Sequence, residues 1–225
     1  MTAEIRLGLN IEVNHKLVSR LMRKQVLTGL PRRKLRRSGP KSDAGVASDL
    51  VCREFSADGP DRLWLTDITE HPTREGKLYY ALVLDAFARK VVGWSIDTRQ
   101  DAALVTNALS MATSNRNPGS GAIVHSDRGS QFTSWAFSQK VTDAGLEPSM
   151  GSVGSAYDSA MMESFWGRVQ TELLDRQPWR TRLELASALF EYLEVFYNKQ
   201  RRHSSFGMLT PNEYETLQTP TLIAA

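Results

Sequence analysis

A chain of 225 residues with a formal net charge of +3 is long enough to bury one sizeable core with an appendage, and too short for two full domains to fit comfortably. Its single cysteine, Cys52, excludes an intramolecular disulfide and a cysteine-rich zinc site, which fits a reducing cytoplasm. No stretch approaches the ~20 apolar residues of a membrane span, and the N-terminus lacks the apolar core of a signal peptide, so no membrane partner is expected.

The charge is unevenly placed. Residues 1–41 hold eleven Lys/Arg against two Glu, a balance of +9, which leaves −6 for the remainder. A basic arm on an acidic body points to a polyanion for the arm and to cations for the acids.

In chain order, Asn14 predicts an N-cap for a helix from His15 to about Gln25. Leu17, Val18, Leu21 and Met22 share one face, and Lys16, Arg20, Arg23 and Lys24 lie elsewhere. With the turn-like LGLNIEVN before it, this reads as the second helix of a helix-turn-helix whose first helix would lie before Met1; a plain basic surface helix is the competing reading. Between Pro31 and Pro40 the residues Arg32, Arg33, Lys34, Arg36 and Arg37 make a basic linker suited to neutralising phosphates without reading bases. Lys41 to Arg53 predicts a further short helix. The expected organisation is a basic arm with a partial helix-turn-helix over 1–41, a linker over 42–60, a catalytic core with a helical tail over 61–215, and a disordered tail over 216–225.

From Arg62 the texture changes to strands. Alternation in LWLTDITE puts Leu63, Leu65 and Asp67 on one face and Trp64, Thr66 and Ile68 on the other. A carboxylate sharing a face with two leucines needs a cation, a donor or an open edge; the bland alternative is an Asp ending an edge strand. YYALVLDAF is too continuously apolar for a half-exposed strand, and VVGWSID follows after a tight turn at Arg89 and Lys90, which predicts an antiparallel meander of three strands. Asp101 opens a helix running to about Asn115, and Asn117-Pro118-Gly119 ends it. The strand Ala122 to Ser126 follows this crossover, so it should run parallel to the strand it joins, with Asp127 at its carboxyl end. A helix from Ser134 to about Ala144 and a short strand from Leu146 to Met150 come next.

GSVGS, Gly151 to Ser155, is a small-residue loop expected to be flexible. Behind it Tyr157, Met161, Phe165, Val169 and Leu173 recur every four residues, predicting a helix that carries Glu163. Trp64, Trp94, Phe165 and Trp166 read as core. A second long helix is predicted from about Arg182 to Asn198, and the tail YNKQRRHSSFGMLTPNEY reads as basic, then turn-like.

Asp67, Asp127 and Glu163 are the candidate catalytic and metal-ligating residues. Three carboxylates offer hard oxygen ligands of the kind Mg²⁺ prefers, with Mn²⁺ as a substitute, and can hold two ions ~3.5–4 Å apart for an in-line phosphoryl displacement. His125, at a strand end, either orders such a site or simply packs.

The order strand-Asp, meander, helix, strand-Asp, helix, helix-Glu resembles the ribonuclease H-like fold. Within it, WLTDIT, VLDAFARKVVGWS, HSDRGSQFTS, YDSAMMESFW and YNKQRRHSSFGMLTPNEY closely resemble insertion-sequence transposases with a retroviral-integrase-like core, over about residues 14–215. The resemblance implies a mixed five-stranded sheet flanked by helices and a DDE triad of Asp67, Asp127 and Glu163. It also implies metal-dependent cleavage and strand transfer on transposon-end and target DNA, assembly as a homo-oligomer on that DNA, the product of an upstream reading frame as a further partner, and a cytoplasmic, nucleoid-associated setting. Near the acids, Arg128, Arg168, Arg201 and His203 are candidate DNA contacts, the last two as contacts to DNA or to the core. The chain departs from many relatives in having Asp158-Ser159 where they have Asp-Asn, and Gln170 where they carry a basic residue two turns after the glutamate. A stand-alone ribonuclease H-like nuclease and a truncated, non-catalytic DNA-end-binding fragment are the competing readings.

Overall fold

The computed structural model describes residues 1–29, 47–52, 54–151 and 160–219. Its centre is a five-stranded sheet in the order β3-β2-β1-β4-β5, made of β1 (Leu63–Thr73), β2 (Gly76–Asp85), β3 (Lys90–Asp97), β4 (Ile123–Ser126) and β5 (Glu147–Met150). β1, β2 and β3 form the expected antiparallel meander. β4 runs parallel to β1, as the crossover through helix α2 (Ala102–Arg116) requires, and β5 runs parallel to β4.

Alternation along the strands sorts the core into two layers. Leu63 and Leu65 from β1 join Leu78, Tyr80, Leu82 and Leu84 from β2 under helices α4 (Ala160–Glu172) and α5 (Arg182–Glu191). Trp64, Ala81 and Val83 face the other way, onto α2 and helix α3 (Trp135–Asp143). β2 is buried on both faces because strands flank it on both sides and helices cover it above and below. Gly93 lets α2 sit close on the sheet, since a Cβ there would collide with the backbone of Ala108 and Ala112.

The helix ends carry the signals read from the sequence. Asp101 accepts from the amides of Ala103 and Leu104, Asn117 closes α2 in the left-handed region, and Ser134 caps α3 through the Phe137 amide. Helix α1 (His15–Lys24) starts at Asn14, whose side chain accepts from the Lys16 amide.

Three expectations need correction. Residues 47–52 make a turn in which Asp49 Oδ1 accepts from the amides of Val51 and Cys52, where a helix was expected; the rest of that stretch lies outside the described residues. The long final helix is α-helical only to Glu191 and continues as π-helical turns over Tyr192–Tyr197. The turn-like tail contains a helix, α6 (Pro211–Gln218), with Pro211 in its first turn and a reciprocal capping box between Thr210 and Glu213. A π-helical turn, Glu4–Gly8, precedes α1.

A buried polar hub ties α6 to the body. Arg116, at the end of α2, donates to Asp61 at 2.8 Å and to Glu215 of α6 at 2.6 Å, and lies 3.8 Å from the fully buried Asp85. Asp85 in turn accepts from the amides of Asp61 and Phe87, which fixes the β2–β3 turn. A second arginine, Arg202, joins Glu213 of α6 to Glu4 of the N-terminal segment.

Candidate active site

Strand register brings the two aspartates to one place. The parallel partners Leu63–Ile123, Trp64–Val124 and Leu65–His125 share an offset of 60, and the same offset carries Asp67 to the level of Asp127, the first residue beyond β4. Neighbouring strands lie ~4.8 Å apart, so residues at one level are side by side. Both fall in the alternation phase of the α4 face, Asp67 after Leu63 and Leu65, Asp127 after Ile123, which packs on that same core layer.

Each carboxylate is held by N–H donors. Asp67 Oδ1 accepts from the Ile68 amide at 2.8 Å, and its Oδ2 accepts from the indole Nε1 of Trp166 at 3.0 Å. Asp127 Oδ1 accepts from the Gly129 amide at 2.8 Å, and a Cβ on residue 129 would lie only 2.8 Å from that oxygen, which is why glycine follows the Asp-Arg pair. The loop behind Asp127 is rigid. Phe132 is buried edge-on against Phe137, Gln131 donates to the carbonyl of Gln100, and Arg128 Nε donates to the carbonyl of Gly151 at 2.7 Å.

Glu163 lies in the first turn of α4 and is exposed. Trp166 is three residues further on, and residues three apart are neighbours on a helix surface, so the indole that grips Asp67 is the adjacent side chain to Glu163. The sequence reading took Trp166 only as core. It is core, packed edge-on against Tyr80 and Phe165, but a buried indole N–H needs an acceptor, and that requirement was the available signal. Among the described residues no three His, Cys, Asp or Glu side chains are gathered so as to hold a metal ion; the strand register sets the two aspartates at one level, and Glu163 is exposed on the helix that carries Trp166. The loop from 152 to 159, most of the GSVGS stretch where flexibility is expected, lies outside the described residues. The donor set itself, carboxylate oxygens only, suits a hard divalent cation such as Mg²⁺.

Comparison with known proteins agrees with this architecture. The integrase core domain family matches residues 57–156, and a second integrase core domain family matches residues 144–211. The chain is 37% identical over 209 residues to the transposase for insertion sequence element IS904 of Lactococcus lactis, covering 91% of this chain and 81% of that protein. It is 36% identical over 219 residues to the transposase InsF for insertion sequence IS3A of Escherichia coli, covering 96% and 75%. The chain belongs to the insertion-sequence transposases with an integrase core domain. The fold is that of retroviral integrases. An intasome of simian T-cell lymphotropic virus in complex with a PP2A regulatory subunit superposes with a TM-score of 0.60 at 14% identity, over 99% of this chain and 76% of that one. The HTLV-2 integrase catalytic core domain in complex with magnesium superposes at 0.50 and 18%, over 70% and 97%.

The remaining candidate residues of the transposase divide by setting. Lys16, Arg20, Arg23 and Lys24 are exposed on α1, which buries Val18 beneath them. Arg32, Arg33, Lys34, Arg36 and Arg37 lie outside the described residues. Arg128 is half-buried and spends its Nε on the Gly151 carbonyl, so it positions the loop at that atom. His125 is buried and bonded to Ser149 Oγ at 2.9 Å, with Phe55 edge-on to its ring.

Tyr197, Asn198, Arg201 and His203 form a buttress. Asn198 donates to the Val91 carbonyl and accepts from the Val91 amide, stitching the tail to β3. Arg201 makes a bidentate pair with Glu172 of α4, and Tyr192 donates to the same carboxylate. His203 is 2% exposed between Tyr197 and Phe206, a core setting that leaves its ring little surface for direct DNA contact. Burial pushes its pKa down to about 3, helped by Arg201, Arg168 and Arg89, so the imidazole is neutral at physiological pH. Gln170, at the position two turns after Glu163, donates to Asp175 at 2.5 Å and is engaged within the chain.

Proposed function

We propose that this transposase cuts transposon-end DNA and joins it to target DNA with Asp67, Asp127 and Glu163 as the residues that hold two Mg²⁺ ions. The reading is carried by the β1–β4 register, which, extended two residues past its last pair Leu65–His125, sets Asp67 level with Asp127, and by the tether from the helix of Glu163 to Asp67 through Trp166. When bound, such ions activate an oxygen nucleophile and stabilise the leaving oxygen of an in-line displacement at phosphorus. The chain's part is to hold that geometry. Trp166 and the Ile68 amide fix the plane of the Asp67 carboxylate, and the Gly129 amide does the same for Asp127, so little reorganisation is needed on binding.

In cleavage, a water oxygen bonds to the scissile phosphorus and the 3′ oxygen departs as a hydroxyl. In joining, that 3′ hydroxyl bonds to a target phosphorus and displaces the target's own 3′ oxygen. Glu163 is exposed in the first turn of α4, and in this reading it completes the ligand set when DNA lies across the edge of the sheet. Assembly as a homo-oligomer on DNA, and a partner from an upstream reading frame, belong to the same proposal. Exposed Lys16, Arg20, Arg23 and Lys24 supply phosphate contacts for the arm.

The test is joining of a labelled end duplex to plasmid DNA in Mg²⁺ by the wild type and by Asp67→Asn, Asp127→Asn and Glu163→Gln. All three variants should bind the duplex and none should join it. Joining at near wild-type rate by any one of them removes that residue from the triad.

A further inference from the structure

Three guanidinium groups act on the buried ring of His203. Arg89 sits in the β2–β3 turn, Arg168 on α4, and Arg201 just after the π-helical segment; all three bear electrostatically on the His203 ring. Their neutralisation is incomplete. Glu172 pairs with Arg201 in bidentate fashion and is the one carboxylate among the charges acting on Arg168. Around Arg168, the guanidiniums of Arg201 and Arg89 therefore face a single carboxylate.

Arg89 is held in place by neutral groups. Arg89 donates to Ser205 Oγ at 3.0 Å and lies over the ring of Phe206, its Cζ 5.1 Å from the centroid. Phe206 is itself stacked on Tyr214 at 4.0 Å, so Arg89 rests on a rigid aromatic platform. Arg168 is half-buried and makes no hydrogen bond or ion pair with any described residue. Both ring nitrogens of His203, buried at the centre, lack a hydrogen-bond partner. Ser204 and Ser205 are exposed at the rim. Repulsion among half-buried cations costs stability, and a guanidinium fork matches the oxygens of a phosphate.

We propose that Arg89 and Arg168, grouped about His203, bind one backbone phosphate of the DNA strand, at a site separate from the three acids. The inference rests on the DNA-joining reading above. Five residues separate Glu163 from Arg168 on α4, a rise of about 7–8 Å along the axis, so the bound phosphate lies a few nucleotides from the one that reacts. Glu172 keeps Arg201 turned toward the buttress, which leaves Arg89 and Arg168 as the pair that meets the ligand.

The experiment measures affinity for an end duplex as a function of salt, by fluorescence anisotropy, for the full chain and for Arg89→Gln, Arg168→Gln and the double variant. Arg180→Gln, an exposed cation at the foot of α5, serves as the charge-matched control. One phosphate contact contributes about 0.9 to the slope of log K against log salt. The double variant should therefore lose about one unit of slope and bind on the order of tenfold more weakly, while its Tm holds or rises because repulsion is relieved. Arg180→Gln should change the slope by much less. In parallel, the His203 ring nitrogen resonances should move when duplex is added to the wild type and stay put in the double variant. An unchanged slope in a double variant that still binds overturns the phosphate site alone, and so does a lowered Tm with unchanged affinity, which marks a purely structural role. Failure of the wild type to bind duplex overturns the DNA reading itself.

Discussion

Arg116 and Arg168 are both helix-borne arginines packed against the same sheet, and their surroundings are opposites. Arg116 meets Asp61, Asp85 and Glu215; burial works against its charge, but bonds to Asp61 and Glu215 hold the proton more firmly than usual. Arg168 meets mainly other cations, and burial together with Arg201 pulls its pKa below the ordinary value. The carboxylates divide in the same way. Asp85 is sealed inside with a guanidinium, whereas Asp67 and Asp127 stand together at the end of the β4 ladder, held by neutral N–H donors. Asp85 shares its burial with a guanidinium that ties α2 to the sheet, whereas Asp67 and Asp127 lie at the sheet's edge, where the proposed ligands would act.

The sharpest way to break this contrast is to neutralise a carboxylate on each side. Asp127→Asn should lower strand joining by roughly three orders of magnitude, because the ligand charge is lost, while Tm stays within a few degrees of wild type. A large fall in Tm would mean that Asp127 belongs with Asp85 as a structural acid.

On the other side, Arg116→Ala strands Asp61, Asp85 and Glu215 around a vacated centre. Removing one partner of a buried ion network costs about 3–5 kcal/mol, readable by urea denaturation. A cost under ~1 kcal/mol would show that the hub is better solvated than its burial implies.

Trp166→Phe keeps the aromatic packing on Tyr80 and Phe165 and deletes only the donor to Asp67. Groups that orient a ligand from behind are typically worth 10–100-fold, so joining should fall within that range and require more Mg²⁺ for half-maximal rate. Equal activity and equal Mg²⁺ requirement would show that the indole only packs.

In pH dependence the two buried groups act with opposite signs and partly offset each other. His203 has a folded pKa near 3 against an ordinary 6.5, so the unfolded chain binds the extra proton and stability falls as pH drops from 6.5 toward 3. Burial raises Asp85 to about 6 from 3.8; there the folded chain binds the extra proton, and stability falls as pH rises from 3.8 toward 6. His203→Phe should remove the first trend and Asp85→Asn the second, as measured by Tm across pH 3–7. If either variant leaves its own trend intact, that group is not the one responsible.

Much of this was legible in local pattern. Leu63, Leu65 and Asp67 on one face, the crossover that makes β4 parallel, and the caps at Asn14, Asp101 and Ser134 are features of a few consecutive residues. What escaped was nonlocal. Arg116 finds Asp61 and Glu215 from 55 and 99 residues away, and Trp166 finds Asp67 from 99, distances at which no spacing rule operates. His203 sits in a tail rich in arginine, which reads as solvated surface, yet Tyr197 and Phe206 enclose it. Helix α6 was different: Thr210, Pro211 and Glu213 spell its capping box within four consecutive residues.

The most direct test of the account is an anomalous diffraction map of the transposase bound to end DNA and soaked in Mn²⁺. Two peaks about 3.5–4 Å apart, with Asp67 and Asp127 on either side of the first and Glu163 on the second, are the expected result. Manganese bound elsewhere, or DNA seated across the sheet edge with no peak at Asp67 and Asp127, would contradict it.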